Sequence, residues 1–128
     1  MAPTILIIDD SQDDVLITEM VLAKVGRDLA TQSASSGEEG FAVLKDGKVN
    51  PALILLDLKM PGMGGIEFLR RIRSDEGLKH IPVVVVTHSS LDVDVKASYA
   101  AGADGFVQKA FDMDQFGREI QRALDRWL

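Results

Sequence analysis

Four short, mostly apolar runs recur along the chain, and each ends in a polar side chain. Residues 4–8 lead to Asp9 and Asp10, residues 52–56 to Asp57, residues 81–86 to Thr87, and residues 105–108 to Lys109. Apolar runs of this length are typical of parallel strands that are buried on both faces. Segments of helical periodicity lie between the runs, so the pattern predicts strands alternating with helices around one parallel sheet.

The first half of the chain adds two helices and a more polar strand to this pattern. A helix is predicted over about residues 12–25, with Ser11 as its N-cap. Its predicted buried face comprises Leu16, Met20 and Ala23. The polar segment at about 29–33 favours the edge of the sheet, where a strand is not buried on both faces. A second helix then runs to about residue 46.

Three further helices are predicted in the second half. Their expected apolar faces are Ile66, Leu69 and Ile72 in the third helix, Val93, Ala97 and Ala100 in the fourth, and Phe116, Ile120, Ala123 or Leu124, and Trp127 in the fifth. Ser90 is predicted to cap the fourth helix and Gly102 to end it. Nothing is left over for a second domain, so we expect a single domain over residues 1–128.

Composition excludes several classes of protein. Hydrophobic residues make up 46% of the 128 residues, which suits a globular domain with a continuous core. The formal net charge of −6 argues against binding to the phosphate backbone of nucleic acid. The chain has no cysteine, no signal-peptide pattern and no apolar stretch near the roughly 18 residues of a membrane span. We therefore expect a cytoplasmic protein that binds neither nucleic acid nor membranes.

The polar residues after the four strands are expected to converge, because open parallel sheets bind ligands at the carboxyl ends of their strands. Three carboxylates placed there would repel one another and would need compensating positive charge. Lys109 supplies one positive charge, and a divalent cation supplies two. Carboxylate oxygens favour Mg²⁺, whereas zinc and copper would require histidine or cysteine ligands that the cluster lacks.

Such a site is suited to phosphoryl chemistry. A carboxylate beside Mg²⁺ and a lysine can attack phosphorus and form an aspartyl phosphate. The two cations would neutralise charge on the transferring phosphoryl group, which is most of what that step requires. The Thr87 hydroxyl could donate a hydrogen bond to a phosphoryl oxygen. Any one of these residues alone could be an ordinary cap or loop residue, but that explanation fails for all of them together.

From about Thr4 to Trp127, the chain resembles the response-regulator receiver domains of two-component signalling. The segments that carry the resemblance are Ile7-Ile8-Asp9-Asp10-Ser11, the run from Leu55 to Gly65, Val85-Val86-Thr87, and the run from Gly102 to Lys109. Each segment is weak evidence alone, but their common order and spacing are highly specific. The resemblance implies a flavodoxin-like, doubly wound α/β fold, with a five-stranded parallel sheet in the order 2-1-3-4-5 and five helices.

The resemblance also implies roles for the residues at the strand ends. It makes Asp57 the phosphoacceptor and places Thr87 and Lys109 in contact with the phosphoryl group. The residues that it implies as Mg²⁺ ligands are Asp9, Asp10, Asp57 and, through its backbone carbonyl, Lys59.

A switch follows from the same resemblance. Phe106 occupies the position of an aromatic residue whose rotamer is coupled to Thr87. Phosphorylation is therefore expected to alter the surface formed by the fourth helix, the fifth strand and the fifth helix. The alternative is that Phe106 is simply a core aromatic. Lys59 and Ser89 flank the site and are candidates for setting the lifetime of the phosphorylated state.

Two positions depart from the family pattern. Ala110 follows Lys109, where the family usually has proline after a cis peptide bond; a cis bond costs about 2.5–4 kcal/mol before other residues and roughly 0.5–1 kcal/mol before proline. We expect a retained cis bond, with a trans bond and a differently aimed Lys109 as the alternative. His88 follows Thr87, where the family mostly has a small residue. Its ring either crowds or hydrogen-bonds near the site in a pH-sensitive way, or is a surface side chain without a role.

The leading hypothesis is a signalling switch that is not an enzyme for any external substrate and promotes only its own phosphotransfer and autodephosphorylation. It would receive a phosphoryl group from a sensor histidine kinase or a histidine-phosphotransfer protein and then bind a downstream protein. An alternative is a phosphorylation-independent docking module with a vestigial acidic site, which Ala110 and His88 favour. A phosphohydrolase of the aspartyl-phosphate type is disfavoured, because Lys59 stands where those enzymes have a second acid.

Overall fold

A computed structural model describes residues 2–109 and 112–128, in which five strands alternate with five helices. The elements are β1 (Thr4–Ile8), α1 (Gln12–Lys24), β2 (Ala30–Ala34), α2 (Gly37–Lys45), β3 (Leu53–Leu56), α3 (Gly65–Arg73), β4 (Val83–Thr87), α4 (Asp92–Ala100), β5 (Gly105–Gln108) and α5 (Met113–Trp127). All strand pairs are parallel and the order is β2-β1-β3-β4-β5. The predicted doubly wound fold and its strand order are confirmed.

Burial follows the position of each strand in the sheet. The interior strands β3 and β4 are buried along their whole length, and β1 is buried from its second residue onward. Helices cover both faces of these strands, so their only polar residues are Thr4 at the start of β1 and Thr87 at the end of β4. β2 lies at the edge and is largely exposed, as its polarity predicted.

Alternate side chains of the strands form two apolar layers, one on each face of the sheet. In the first, Leu6 and Ile8 of β1 pack with the buried side chains of α2 and α3, such as Phe68. In the second, Ile5 and Ile7 pack with the apolar side chains of α1 and α5. α5 contributes Phe116, Ile120 and Leu124 to the second layer, with Trp127 and Ala123 packed against it, in agreement with the predicted face.

The predicted buried face of α1 is wrong. Leu16 and Met20 are 58% and 55% exposed, whereas Val21 and Leu22 are buried in the layer shared with α5. The helix carries two apolar stripes, and only packing against α5 decides which of them faces the sheet. Ser11 does cap this helix, since its side chain accepts a hydrogen bond from the backbone N–H of Asp14 at 3.2 Å.

The predicted cap and buried face of α4 are also wrong. Leu91 is the N-cap residue rather than Ser90, and it provides no side-chain capping bond. Val93 is 68% exposed, and the buried side chains of the helix belong to Asp94 and Ser98. These polar side chains can be buried because each has a hydrogen-bond partner. Gly102 follows the C-cap residue Ala101 and terminates the helix as predicted, with a φ of +109° that suits glycine.

None of the described helices combines the length and the apolar character needed to cross a membrane.

Candidate functional site

The backbone places the four polar strand ends side by side. Parallel hydrogen bonding continues one residue past the strands, because the N–H of Asp57 donates to the carbonyl of Ile8 at 2.8 Å. Likewise, the N–H of Lys109 donates to the carbonyl of Thr87 at 2.7 Å. The residues that follow the apolar runs are therefore held by the rigid sheet rather than by mobile loops.

Asp9, Asp10 and Asp57 form one acidic cluster, as predicted. Each offers a carboxylate oxygen, and these oxygens lie within 4.8 Å of one another. Asp9 and Asp57 are buried and Asp10 is exposed, so the cluster opens to solvent on one side. An all-oxygen donor set that keeps access to water fits Mg²⁺, which retains several water ligands in most protein sites.

Lys109, which directly follows β5, supplies positive charge to this cluster. Its buried ammonium lies 2.6 Å from Asp9 Oδ2 and 3.6 Å from Asp57 Oδ1. It also contacts Asp14 Oδ2 at 3.0 Å. Burial lowers the pKa of Lys109, but the bonds to Asp9 and Asp14 and the charge of Asp57 outweigh burial and raise it above 10.5. Lys109 is therefore a permanent cation, held more closely by Asp9 and Asp14 than by Asp57.

Asp57 is the most perturbed carboxylate of the site. Burial raises its pKa from 3.8 to about 6, with Lys109 lowering it and the charges of Asp9 and Asp10 raising it. At neutral pH the group is mostly ionised, and the fold bears the cost of that charge. A buried, ionised carboxylate beside a fixed cation has the properties expected of a nucleophile toward phosphorus.

Gly65 allows α3 to begin close to Asp57. A Cβ atom at this position would lie 2.7 Å from the backbone carbonyl of Asp57, which is a severe clash. A residue without a side chain is therefore required at this position for close packing beneath the site.

The two predicted switch residues occupy neighbouring strands. Thr87 is buried at the end of β4, and its Oγ1 accepts a hydrogen bond from the N–H of Ser89 at 3.4 Å. Phe106 lies on β5 opposite Val85 and is partly buried against the first apolar layer.

Lys59 and Ser89 both contact Asp94, a residue that the sequence analysis did not identify. The ammonium of Lys59 lies 3.2 Å from Asp94 Oδ1, and the hydroxyl of Ser89 donates to Asp94 Oδ2. Hydrogen bonds from Ser89 and Lys59 hold the pKa of Asp94 below its usual 3.8. No local signal marks Asp94, because Lys59 is distant in sequence and Asp94 resembles any first-turn helix acid.

His88 contacts a second residue that was missed. Its exposed ring lies 3.1 Å from Asp14 Oδ2, the oxygen that also accepts a hydrogen bond from Lys109. Of the alternatives for His88, hydrogen bonding near the site agrees with this contact. Burial raises the pKa of Asp14, but Lys109 and His88 outweigh burial and hold it below 3.8. Asp14 lies in the first turn of α1, where acids are common, so its position in the sequence does not mark it as part of the site.

Ala110 and the peptide bond that joins it to Lys109 lie outside the described residues, so the expected cis geometry stays a prediction.

The fold and the site define a class of protein: doubly wound α/β domains whose strand ends carry an acidic, lysine-containing cation site. The response regulator receiver domain family matches residues 5–121. The chain belongs to this family, whose members act as signalling switches in two-component systems and bind Mg²⁺ at an acidic site.

Three relatives illustrate the range of the similarity. The transcriptional regulatory protein AfsQ1 of Streptomyces coelicolor is 38% identical over 126 residues, which cover 97% of this chain but only 52% of AfsQ1. The chemotaxis protein CheY-3 of Vibrio cholerae is 32% identical over 122 residues, 95% of this chain and 92% of CheY-3. The structure of the phosphorylated cyanobacterial phytochrome response regulator RcpA superposes with a TM-score of 0.89 at 28% identity, covering 99% of this chain and 94% of RcpA.

Proposed function

We propose that Asp57 accepts a phosphoryl group from a sensor histidine kinase or a histidine-phosphotransfer protein in the presence of Mg²⁺. The observation that carries this proposal is the buried Asp57 carboxylate, which has two other acids and the Lys109 ammonium as close neighbours. The raised pKa of Asp57 supports the proposal, because strongly perturbed carboxylates are typical of functional sites.

In the proposed reaction, an oxygen of Asp57 forms a bond to phosphorus while the phosphorus–nitrogen bond of the donor phosphohistidine breaks. The leaving imidazole keeps the electron pair and takes up a proton. Asp9, Asp10, Asp57 and the backbone carbonyl of Lys59 would hold Mg²⁺, which supplies neutralising charge to the phosphoryl oxygens.

Lys109 and Thr87 act on the product in this proposal. The ammonium of Lys109 moves from its contacts with Asp9 and Asp14 toward the new phosphoryl oxygens, which offer more negative charge. The hydroxyl of Thr87 donates to another phosphoryl oxygen. Both residues are already buried at the site, so only small side-chain movements are needed.

The proposed output is a change in the α4–β5–α5 surface. Movement of Thr87 leaves space beside the first apolar layer, and Phe106, already packed against that layer, can turn inward. Its ring carries no hydroxyl, so the inward position leaves no polar group without a partner. A downstream protein would recognise the altered surface.

We further propose that residues 1–128 act as one receiver domain. The similarity to CheY-3 over 92% of that protein supports this arrangement. The chain spans about half the length of AfsQ1.

Labelling with acetyl phosphate tests the proposal. Wild-type protein should gain the mass of one phosphoryl group in the presence of Mg²⁺ and little with a chelator, and Asp57→Asn should gain none. Failure of folded wild-type protein to become labelled would overturn the proposal and favour the docking module with a vestigial site.

A further inference from the structure

The inner face of α4 is polar, unlike that of the helices that pack into the apolar layers. Its buried side chains are Asp94 and Ser98, while Val93 faces water. Within the described residues, no side chain of Asp92–Ala100 belongs to either apolar layer. A helix of nine residues is marginal in water by itself, so the position of α4 depends on its polar contacts.

The carboxylate of Asp94 makes the contacts that join α4 to the acidic site. Its side chain is 12% exposed, with Lys59 Nζ at 3.2 Å from one oxygen and the Ser89 hydroxyl bonded to the other. Both partners flank the proposed phosphorylation machinery, because Lys59 lies two residues after Asp57 and Ser89 lies two residues after Thr87. Neither partner belongs to α4 itself.

Ser89 connects this carboxylate to the switch threonine. Its N–H donates to Thr87 Oγ1 at 3.4 Å, and its hydroxyl oxygen also accepts a hydrogen bond from the N–H of Leu91 at 3.3 Å. A continuous path of hydrogen bonds thus leads from Thr87 through Ser89 to the first turn of α4.

We propose that Asp94 is a positioning residue that holds α4 against the site through Ser89 and Lys59 and releases the helix when Asp57 is phosphorylated. The release half of this proposal rests on the proposed function. A phosphoryl group adds up to about two negative charges, which attract the Lys59 ammonium away from Asp94. It also draws the Thr87 hydroxyl toward itself and thereby removes the acceptor of the Ser89 N–H.

Hydrogen exchange of the α4 amides tests, without any phosphoryl donor, whether Asp94 holds the helix in place. Asp94→Ala should accelerate exchange of these amides roughly tenfold, because a hydrogen-bonded, shielded carboxylate is lost. Asp92→Ala is the matched control: it removes an exposed acid from the same turn and introduces the same good helix former. Equal exchange in the two variants would overturn the proposal.

Ser89→Ala provides a second variant that leaves the acid in place, and its α4 amides should exchange at a rate between those of wild type and Asp94→Ala. A wild-type rate in Ser89→Ala would contradict the proposed path.

The release half is tested by repeating the measurement with acetyl phosphate and Mg²⁺, with labelling of Asp57 followed by mass in the same samples. Wild-type α4 should exchange faster when labelled, and Asp94→Ala should change little. Labelled wild-type protein with unchanged α4 exchange would refute release while leaving the proposed function intact. Absence of labelling would instead refute the proposed function and, with it, release.

Discussion

Replacing Asp57 by asparagine should stabilise the folded protein at neutral pH. The side chain is buried beside two other acids, and its pKa rises from 3.8 to about 6 on folding. The folded state therefore binds a proton more tightly than the unfolded state. As the pH rises through the window between 3.8 and about 6, the unfolded chain loses this proton first, so stability falls until the folded group is also ionised.

The magnitude follows from the width of that window. About two pH units, at about 1.4 kcal/mol each, correspond to roughly 3 kcal/mol of destabilisation above pH 6. The attraction of Lys109 at 3.6 Å is already contained in the raised pKa. Asparagine keeps the shape of the side chain and removes its charge, so we expect Asp57→Asn to gain about 2–3 kcal/mol at pH 7.5. The gain should shrink toward zero as the pH falls to about 4.

Urea denaturation at a series of pH values, with a chelator present, measures this effect as the free energy of unfolding. Asp13→Asn is the matched control, because Asp13 is an exposed acid in the first turn of α1 and lies outside the cluster. The control should lose up to about 1 kcal/mol through the helix dipole. A variant Asp57→Asn that is no more stable than wild type at pH 7.5, or whose gain does not depend on pH, would refute the reasoning.

Three further outcomes are expected. Mg²⁺ at about 100 times its dissociation constant should stabilise the wild type by about 2.7 kcal/mol. Asp10→Asn should lose most of this stabilisation while its circular dichroism spectrum stays unchanged. Equal stabilisation of the variant and the wild type by Mg²⁺ would exclude Asp10 as a ligand. Lys109→Met should lower the free energy of unfolding, measured by urea titration, by about 3 kcal/mol at pH 7.5 and by less at pH 5, because it leaves buried carboxylates without their cation. A loss of stability that does not depend on pH would contradict this reasoning. His88→Ala should change the free energy of unfolding by no more than about 0.5 kcal/mol. It should alter the dephosphorylation rate, since His88 and Lys109 both contact Asp14 Oδ2. An unchanged dephosphorylation rate would make His88 an ordinary surface residue.

The sheet and the acidic cluster could be predicted because their signals are local. Residues 53–56 and 83–86 are apolar without interruption, which is sufficient to identify interior strands. Parallel strands in turn bring their carboxyl ends to one edge, so the convergence of Asp9, Asp10 and Asp57 follows from the strand assignment alone.

The faces of α1 and α4 could not be predicted because their burial depends on distant partners. In α1, the choice between Leu16 and Val21 is made by α5, which lies at the other end of the chain. In α4, the spacing of Asp94 and Ser98 is visible in the sequence, but a carboxylate without a known partner is assigned to water. Its partner Lys59 is separated from it by 35 positions.

The acidic cluster and α4 are neighbours, and neither contributes a buried side chain to the two apolar layers. The first bears an ionised carboxylate whose burial costs stability, and the second is held by hydrogen bonds to Ser89 and Lys59 rather than by the apolar layers. Because phosphorylation redistributes charge at the cluster, it acts on electrostatic contacts directly and on apolar contacts only indirectly. The position of a helix that is held by a carboxylate is therefore more sensitive to phosphorylation of Asp57 than the position of a helix held by leucine side chains would be.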